Sequence, residues 1–238
     1  MTVDLILQEL QEYGDEKRRS NLVKLGIPQE NSLGVSTGNI RKIAKKYQKD
    51  DELAKALWDS KIHDMKLLAV LLLNPKKATD EKIAYYMNEI YSWDLCDHFC
   101  KNYLLKTQNY AGYINKWVTS MQTYYKRAAF TLIAAKVVKD KKISNEDLEH
   151  YLNYIVDFSA DDRVHVYKAI SWALREIGKV NLELQEKAII VAYNLSVDHD
   201  STKQKIGKMS LKELENLIEV PGRSRLINRD SKMGQESI

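Results

Sequence analysis

The strongest constraint on the fold is the spacing of the apolar residues, which recur every three or four positions along almost the whole chain. Leu148, Leu152 and Ile155 show this spacing, and no sustained alternation of period two competes with it. Only 9 Gly and 3 Pro occur in 238 residues, too few for the many turns of a sandwich or barrel of short strands. The sequence therefore predicts an all-α fold of about a dozen helices.

Capping residues and a faint internal repeat indicate how the helices are arranged. Helix starts are marked by the polar residues Ser36, Thr79, Ser144 and Ser210. A shift of 41 residues carries Arg127-Ala128-Ala129 onto Lys168-Ala169-Ile170. This lies near the period of about 40 to 47 residues of HEAT-type helical pairs. The repeat favours a solenoid of stacked antiparallel pairs over a closed bundle.

The same pattern predicts the domain organisation. We expect residues 1–220 to form a single helical-repeat domain, because the helical spacing continues to that point. The spacing ends after Val220-Pro221-Gly222, so residues 221–238 are expected to be a polar, flexible tail. No apolar run is long enough to span a membrane, and the first residues do not resemble a signal peptide. We therefore expect a cytoplasmic protein.

Several common chemistries are disfavoured. Glycine-rich phosphate loops, Gly-x-Ser-x-Gly and His-Glu-x-x-His are absent, which argues against nucleotide-driven work and acyl transfer. Cys96 and Cys100 are one helical turn apart and are expected to be reduced thiols. They flank His98, but on a helix this histidine points away from them and a fourth ligand is missing, so we expect no metal. The other histidines, expected at the surface, are His63, His150, His165 and His199.

The net charge of +4 is distributed unevenly. Between His98 and Ile143 there is one acid, Asp140. The nine bases in this stretch are Lys101, Lys106, Lys116, Lys126, Arg127, Lys136, Lys139, Lys141 and Lys142. Such a block inside a patterned segment favours an anionic partner, because the cations repel one another unless something offsets them. The alternative is a lysine-rich face that contacts only water.

Two tryptophans fall on the polar sides of their helices. In the helix predicted over 162–179, Trp172 lies roughly 200° away from the core residue Leu174. The residues that share its side are Lys168, Arg175 and Lys179. In the helix predicted over 93–105, the residues opposite the core are Trp93, Asp97 and Lys101. Trp58 and Trp117, by contrast, align with apolar positions and are expected in the core.

An exposed tryptophan needs an explanation, because it forgoes roughly 2 to 3 kcal/mol of burial. A neighbouring helix or loop that covers the indole is one explanation. The other explanation is a surface that binds nucleic acid. Basic side chains would pair with its phosphates, and the aromatic rings between them would pack against its sugars and nucleobases.

Three segments carry a resemblance to a known family. They are Ser92-Trp93-Asp94-Leu95-Cys96-Asp97, Lys126-Arg127-Ala128-Ala129, and Lys168-Ala169-Ile170-Ser171-Trp172-Ala173-Leu174-Arg175-Glu176. In order and spacing they resemble the AlkD-type family of bacterial alkylpurine DNA glycosylases, and the resemblance extends over residues 15–220. It implies a right-handed, C-shaped solenoid of stacked antiparallel HEAT-like helical pairs with a basic concave face.

The resemblance also implies roles for individual residues. Asp97 would be the catalytic carboxylate, while Trp93 and Trp172 would press against the backbone of the damaged nucleotide. Arg127 and Arg175 would hold phosphates. We expect four lysines of the same surface to bind DNA as well, namely Lys101, Lys126, Lys168 and Lys179. No cofactor is implied.

Together with the basic and aromatic surface, the resemblance implies a DNA repair glycosylase that acts as a monomer on duplex DNA carrying alkylated bases. It would release N3-alkyladenine and N7-alkylguanine without base flipping, in the bacterial cytoplasm and at the nucleoid when bound to DNA. One alternative is a noncatalytic protein that binds DNA structures through the same groove. The other is a helical-repeat adaptor that receives an acidic peptide.

Overall fold

The computed structural model describes residues 2–24, 26–27 and 31–237, which form two compact units, residues 1–110 and 111–238. The helices of the first unit are α1 (Thr2–Glu12), α2 (Glu16–Lys24), α3 (Thr37–Ala44), α4 (Asp51–Asp59), α5 (His63–Leu72), α6 (Asp80–Met87) and α7 (Trp93–Asn102). Those of the second are α8 (Tyr110–Trp117), which begins at the boundary, α9 (Thr123–Lys139), α10 (Asn145–Asp157), α11 (Val164–Gly178), α12 (Leu182–Ser196), α13 (Ser201–Leu214) and α14 (Lys232–Gln235). The prediction of an all-α fold is confirmed.

The remaining regular structure in the described ranges is short. Two 3-10 turns, Pro75–Lys77 and Leu104–Lys106, connect helices of the first unit. In the second unit, strands β1 (Leu217–Ile218) and β2 (Ile227–Asn228) pair antiparallel, with Leu217 opposite Asn228. None of the helices within the described ranges has the length and apolar character needed to cross a membrane.

In the second unit, neighbouring repeats are joined at a nearly constant separation in sequence. Bonds between alternate helices join residues 38 or 39 positions apart: Asn115 with Tyr154, Arg127 with His165, Glu149 with Lys187, Ser171 with Ser210 and Arg175 with Glu213. The helices α11 and α13 are joined at two of these places, so they run parallel. The pairs α8/α9, α10/α11 and α12/α13 are thus successive copies of one helical repeat, slightly shorter than the 41-residue shift seen in the sequence.

A buried carboxylate organises the loop before α3 in the first unit. Asp64, only 1% exposed, accepts hydrogen bonds from the backbone N–H groups of Leu33 (2.6 Å) and Val35 (2.8 Å) and from the hydroxyl of Ser32 (3.1 Å). The loop turns at Gly34, whose φ of +75° favours glycine. A side chain there would lie 2.3 Å from the carbonyl oxygen of Asp15. This carboxylate therefore joins the segment before α3 to α5.

The two tryptophans expected in the core are there. Trp58 is fully buried and meets Tyr86 edge to face at 4.9 Å between ring centroids. Trp117 is also buried, stacks on Tyr113 at 4.9 Å and meets Tyr125 at 5.1 Å. Such aromatic pairs stabilise a core by about 0.5 to 1.5 kcal/mol beyond their buried area.

Three of the four predicted helix starts are confirmed. The hydroxyls of Ser36, Thr79 and Ser144 each accept a hydrogen bond from the backbone N–H three residues later. The prediction at Ser210 is wrong, because α13 begins after Asp200, whose carboxylate caps it, and continues through this position. Ser210 instead lies buried in the middle of α13 with its hydroxyl 3.0 Å from that of Ser171.

The segment after α13 differs from the polar tail that the sequence predicts. Leu226 is 4% exposed, and its backbone N–H donates to the carbonyl oxygen of Lys179 at 2.9 Å. Arg225 donates to the carbonyl oxygens of Val137 (2.7 Å) and Glu176 (2.8 Å). One apolar residue and one arginine thus attach the C-terminal segment, residues 221–237, to α9 and α11. The single domain predicted over 1–220 stays a prediction.

We expect Asp64→Asn to lower the free energy of unfolding by about 2 to 4 kcal/mol. Both carboxylate oxygens of Asp64 accept a backbone N–H bond. The asparagine amide has only one acceptor oxygen, so its NH2 group would face a backbone N–H that has lost its acceptor. Chemical denaturation followed by circular dichroism measures the change, with Glu52→Gln, an exposed acid of α4, as the control. Equal stability of Asp64→Asn and the unchanged protein would contradict this role.

Candidate functional site

The first group of predicted site residues lies on α7 in the first unit. Trp93 begins the helix, and Asp97 and Lys101 follow at intervals of four, so all three occupy one ridge. Trp93 and Lys101 are half-buried, while Asp97 is only 8% exposed. The ridge is thus less open to solvent than the sequence predicts. A carboxylate in this setting is largely shielded from water, which strengthens its interaction with a nearby positive charge.

The start of α7 is held by a buried network that sequence reasoning missed. His63 on α5 is 1% exposed, and its Nε2 and Nδ1 atoms lie 2.9 Å from the Asp94 carboxylate and 2.9 Å from the Tyr91 hydroxyl. The Ser92 hydroxyl donates to the same carboxylate at 2.7 Å. Burial alone would raise the pKa of Asp94, but the bonds from His63 and Ser92 lower it below its usual range. The prediction of a surface His63 is therefore wrong.

The histidine that follows Asp97 remains neutral at physiological pH. Burial lowers the pKa of His98 to about 4. Its Nε2 atom has no hydrogen-bond partner in the described part of the chain. Cys96 and Cys100 are buried and unbridged. No group of three or more potential metal ligands occurs among the described residues.

Two predicted site residues of α9, Lys126 and Arg127, lie in the second unit and are buried. Arg127, 6% exposed, donates from Nη1 to the carbonyl oxygen of His165 on α11 at 2.7 Å. This bond fixes the direction of the guanidinium group. Arg127 thus sits on a helix whose other side chains are mostly buried and is anchored to the helix that carries Trp172.

Lys126, which precedes Arg127, forms a buried ion pair within the second unit. Its Nζ lies 3.0 Å from Asp161 and 5.0 Å from the centre of the Phe158 ring, and its side chain is 9% exposed. Burial would raise the pKa of Asp161, but hydrogen bonds from Arg163 and Lys126 lower it to about 2. The predicted DNA contact at Lys126 would therefore have to replace an established ion pair.

The ridge of α11 carries the second tryptophan. Trp172 is half-buried, and its indole N–H donates to Oε1 of Glu176 at 3.2 Å. Lys168, one turn earlier, is exposed. Arg175 and Lys179 complete the ridge, which confirms the predicted side of the helix, since Ile170, Leu174 and Ile177 are buried behind it.

Two acids, Glu176 on α11 itself and Glu213 on α13, neutralise part of this ridge. Arg175 pairs with Glu213 on α13, and Lys179 pairs with both Glu213 (2.5 Å) and Glu176 (3.0 Å). Burial would raise the pKa of Glu213, but the two cations lower it. Arg225 adds a third cation, 2.8 Å from Glu176. Sequence reasoning missed Glu213 and Arg225, because both lie outside the helix on which the ridge was identified.

A cleft of about 910 Å³ lies elsewhere, in the first unit, and contains none of the predicted site residues. Its lining mixes lysines with acids and includes the ion pair of Lys82 with Asp51 at 2.8 Å. The structure thus brings Trp93, Asp97 and Lys101 together on α7. The other predicted residues lie in the second unit, Lys126 and Arg127 near the start of α9 and Lys168, Trp172, Arg175 and Lys179 along α11 and at its end.

Comparison with known proteins gives the family. The family described as DNA alkylation repair enzyme matches residues 6–213, a range that contains every predicted site residue. The comparison with curated proteins gives no match.

A solved structure is similar over almost the whole length. It is described as a new family of proteins related to the HEAT-like repeat DNA glycosylases with affinity for branched DNA structures. The TM-score is 0.73 at 20% sequence identity, over 98% of this chain and 92% of that chain. The similarity confirms the predicted HEAT-like repeat fold, which agrees with the repeat of 38 or 39 residues. The chain belongs to the DNA alkylation repair enzyme family.

Proposed function

We propose that this protein is a DNA glycosylase that hydrolyses the N-glycosidic bond of cationic alkylated purines in duplex DNA. The observation that carries the proposal is the family match over residues 6–213, which includes Asp97, Trp93 and Trp172 with their surrounding cations. The substrates would be N3-alkyladenine and N7-alkylguanine, and the protein would bind as a monomer without flipping the base.

The chemistry suits a site with one carboxylate and no general acid. Alkylation at N3 or N7 makes the purine cationic, so the base takes the electron pair of the glycosidic bond and leaves neutral. The sugar carbon develops positive charge, a water molecule adds to it, and that water loses a proton. The site therefore has to stabilise a transient cation and orient the water.

Asp97 has the properties that this task needs. It is 8% exposed and held on α7, whose first turn is fixed by the buried network of His63 and Asp94. A carboxylate held in place before the reaction stabilises developing charge without reorganisation, and removal of such a group costs roughly 10² to 10³ in rate. Trp93 and Trp172 would add cation–π attraction of about 0.5 to 2 kcal/mol each.

We expect Asp97→Asn to lower the rate of base release by roughly 10² to 10³, because the amide cannot compensate positive charge on the sugar. Released 7-methylguanine and 3-methyladenine from methylated duplex DNA are measured by chromatography. Binding to the same duplex, measured by fluorescence anisotropy, is expected to persist.

The matched control is Glu12→Gln, which removes an exposed carboxylate of the same unit. It should release base at the unchanged rate. If Asp97→Asn releases base as fast as the control does, Asp97 is not the catalytic carboxylate.

Substitution of two lysines of the predicted surface should have different effects, one on DNA binding and the other on stability. Lys168 is exposed, and no ion pair of the described residues includes it, so we expect Lys168→Ala to weaken DNA binding. The slope of log K against log salt should fall in magnitude by about 1. Lys126→Ala should instead lower the free energy of unfolding by about 3 kcal/mol, because Asp161 loses a buried partner.

Anisotropy titrations at several salt concentrations and denaturation curves measure the two effects. Lys141→Ala, an exposed lysine between α9 and α10, is the control for charge alone. An equal loss of affinity in Lys141→Ala and Lys168→Ala would show that net charge, and not the α11 ridge, determines binding.

A second candidate is a noncatalytic protein that binds branched DNA. The similar solved structure favours it, since that family is described as having affinity for branched DNA structures. Two measurements distinguish the candidates. The second predicts tighter binding to a four-way junction than to a linear duplex, with no base released from methylated DNA.

A further inference from the structure

The carboxylate of Glu176 is the point at which three side chains of the second unit meet. Its Oε1 accepts hydrogen bonds from the indole N–H of Trp172 at 3.2 Å and from Lys179 Nζ at 3.0 Å. Its Oε2 accepts a bond from Arg225 Nη2 at 2.8 Å. The side chain of Glu176 is 12% exposed, so water contributes little to holding it.

Arg225 is itself firmly attached. Besides the carboxylate, its guanidinium contacts the carbonyl oxygens of Val137 at the end of α9 and of Glu176. The next residue, Leu226, is buried and donates its backbone N–H to Lys179. The guanidinium therefore bridges α9 and α11, and its planar fork allows it to bind a backbone oxygen and a carboxylate at once.

We propose that Arg225 is a positioning residue, which orients the Trp172 indole by fixing the Glu176 carboxylate between them. The inference rests on the proposed function for the part that Trp172 plays on DNA. A free glutamate side chain samples several rotamers, and Lys179, on a flexible stem, restrains only one of its oxygens. Arg225 restrains the other oxygen, so the oxygen that receives the indole N–H keeps one direction.

The consequence concerns the second aromatic group of the proposed site. An indole that is already oriented does not lose rotamer freedom when DNA binds, which makes the contact more favourable. Arg225 reaches the α11 ridge through Glu176, so the C-terminal segment would act on Trp172 from outside α11.

The test measures the NMR signal of the Trp172 indole N–H. Correlation spectra of the ¹⁵N-labelled protein resolve the four indole N–H groups, and the signal absent in Trp172→Phe is that of Trp172. We expect this signal to shift in Arg225→Ala. We also expect it to shift in Glu176→Gln, which keeps an acceptor but removes the charge that Arg225 pairs with. The signals of the buried Trp58 and Trp117 should stay in place, which shows that the fold is kept.

Arg223→Ala is the matched control, since it removes an exposed arginine two residues away in the same segment. It should leave the Trp172 signal unchanged. The proposal is overturned if the Trp172 signal is the same in Arg225→Ala as in the unchanged protein, or if Arg223→Ala shifts it equally. Arg225→Lys, which keeps the charge but cannot bridge two acceptors in a plane, should shift the signal as well.

A kinetic measurement connects the indole to the reaction. We expect base release by Arg225→Ala to fall about tenfold, a loss that corresponds to one hydrogen bond, while Arg223→Ala keeps the full rate. The two proposals fail separately. Absence of base release by the unchanged protein would contradict the glycosylase, whereas an unmoved Trp172 signal would contradict the positioning role whatever the activity.

Discussion

The separation of 38 or 39 residues between bonded partners determines which side chains lie beside one another on the surface of the second unit. Because α11 and α13 run parallel at this separation, each position on one helix has a fixed neighbour on the other. The buried hydroxyls of Ser171 and Ser210 meet, and one turn later Arg175 meets Glu213. The ridge of α11 is therefore bordered by residues of α13, among them Glu213, which sets the electrostatic surroundings of Trp172.

Local spacing was enough to predict the parts of the structure that depend on a single helix. The helical class, the caps at Ser36, Thr79 and Ser144, and the buried Trp58 and Trp117 all follow from residues within a few turns of one another. The side of α11 that bears Trp172 could be predicted for the same reason. The failure at Ser210 shows the limit, since a serine before an acid resembles a helix start whenever its distant partner, here Ser171, is not known.

The features that sequence reasoning missed all join residues far apart in the chain. His63 resembles an isolated surface histidine until the fold places it against Tyr91 and Asp94, about thirty residues later. The C-terminal segment has no apolar periodicity, yet one buried leucine and one arginine attach it to α9 and α11. Two residues are too few to give a pattern, but a buried apolar side chain and a bridging guanidinium are sufficient to fix a short segment.

The balance of charge on α11 changes how a basic ridge should bind an anion. Counted on the helix alone, Lys168, Arg175 and Lys179 predict a strongly positive surface. In the fold, Arg175 and Lys179 already form ion pairs with Glu213 and Glu176. A phosphate therefore gains less from these two cations than from a cation that contacts only water. The acids also keep the cations in fixed directions when no DNA is bound. Such a ridge gives up part of its attraction for any anion and gains a defined geometry around the indole, which suits recognition of one position better than uniform attraction along a charged surface.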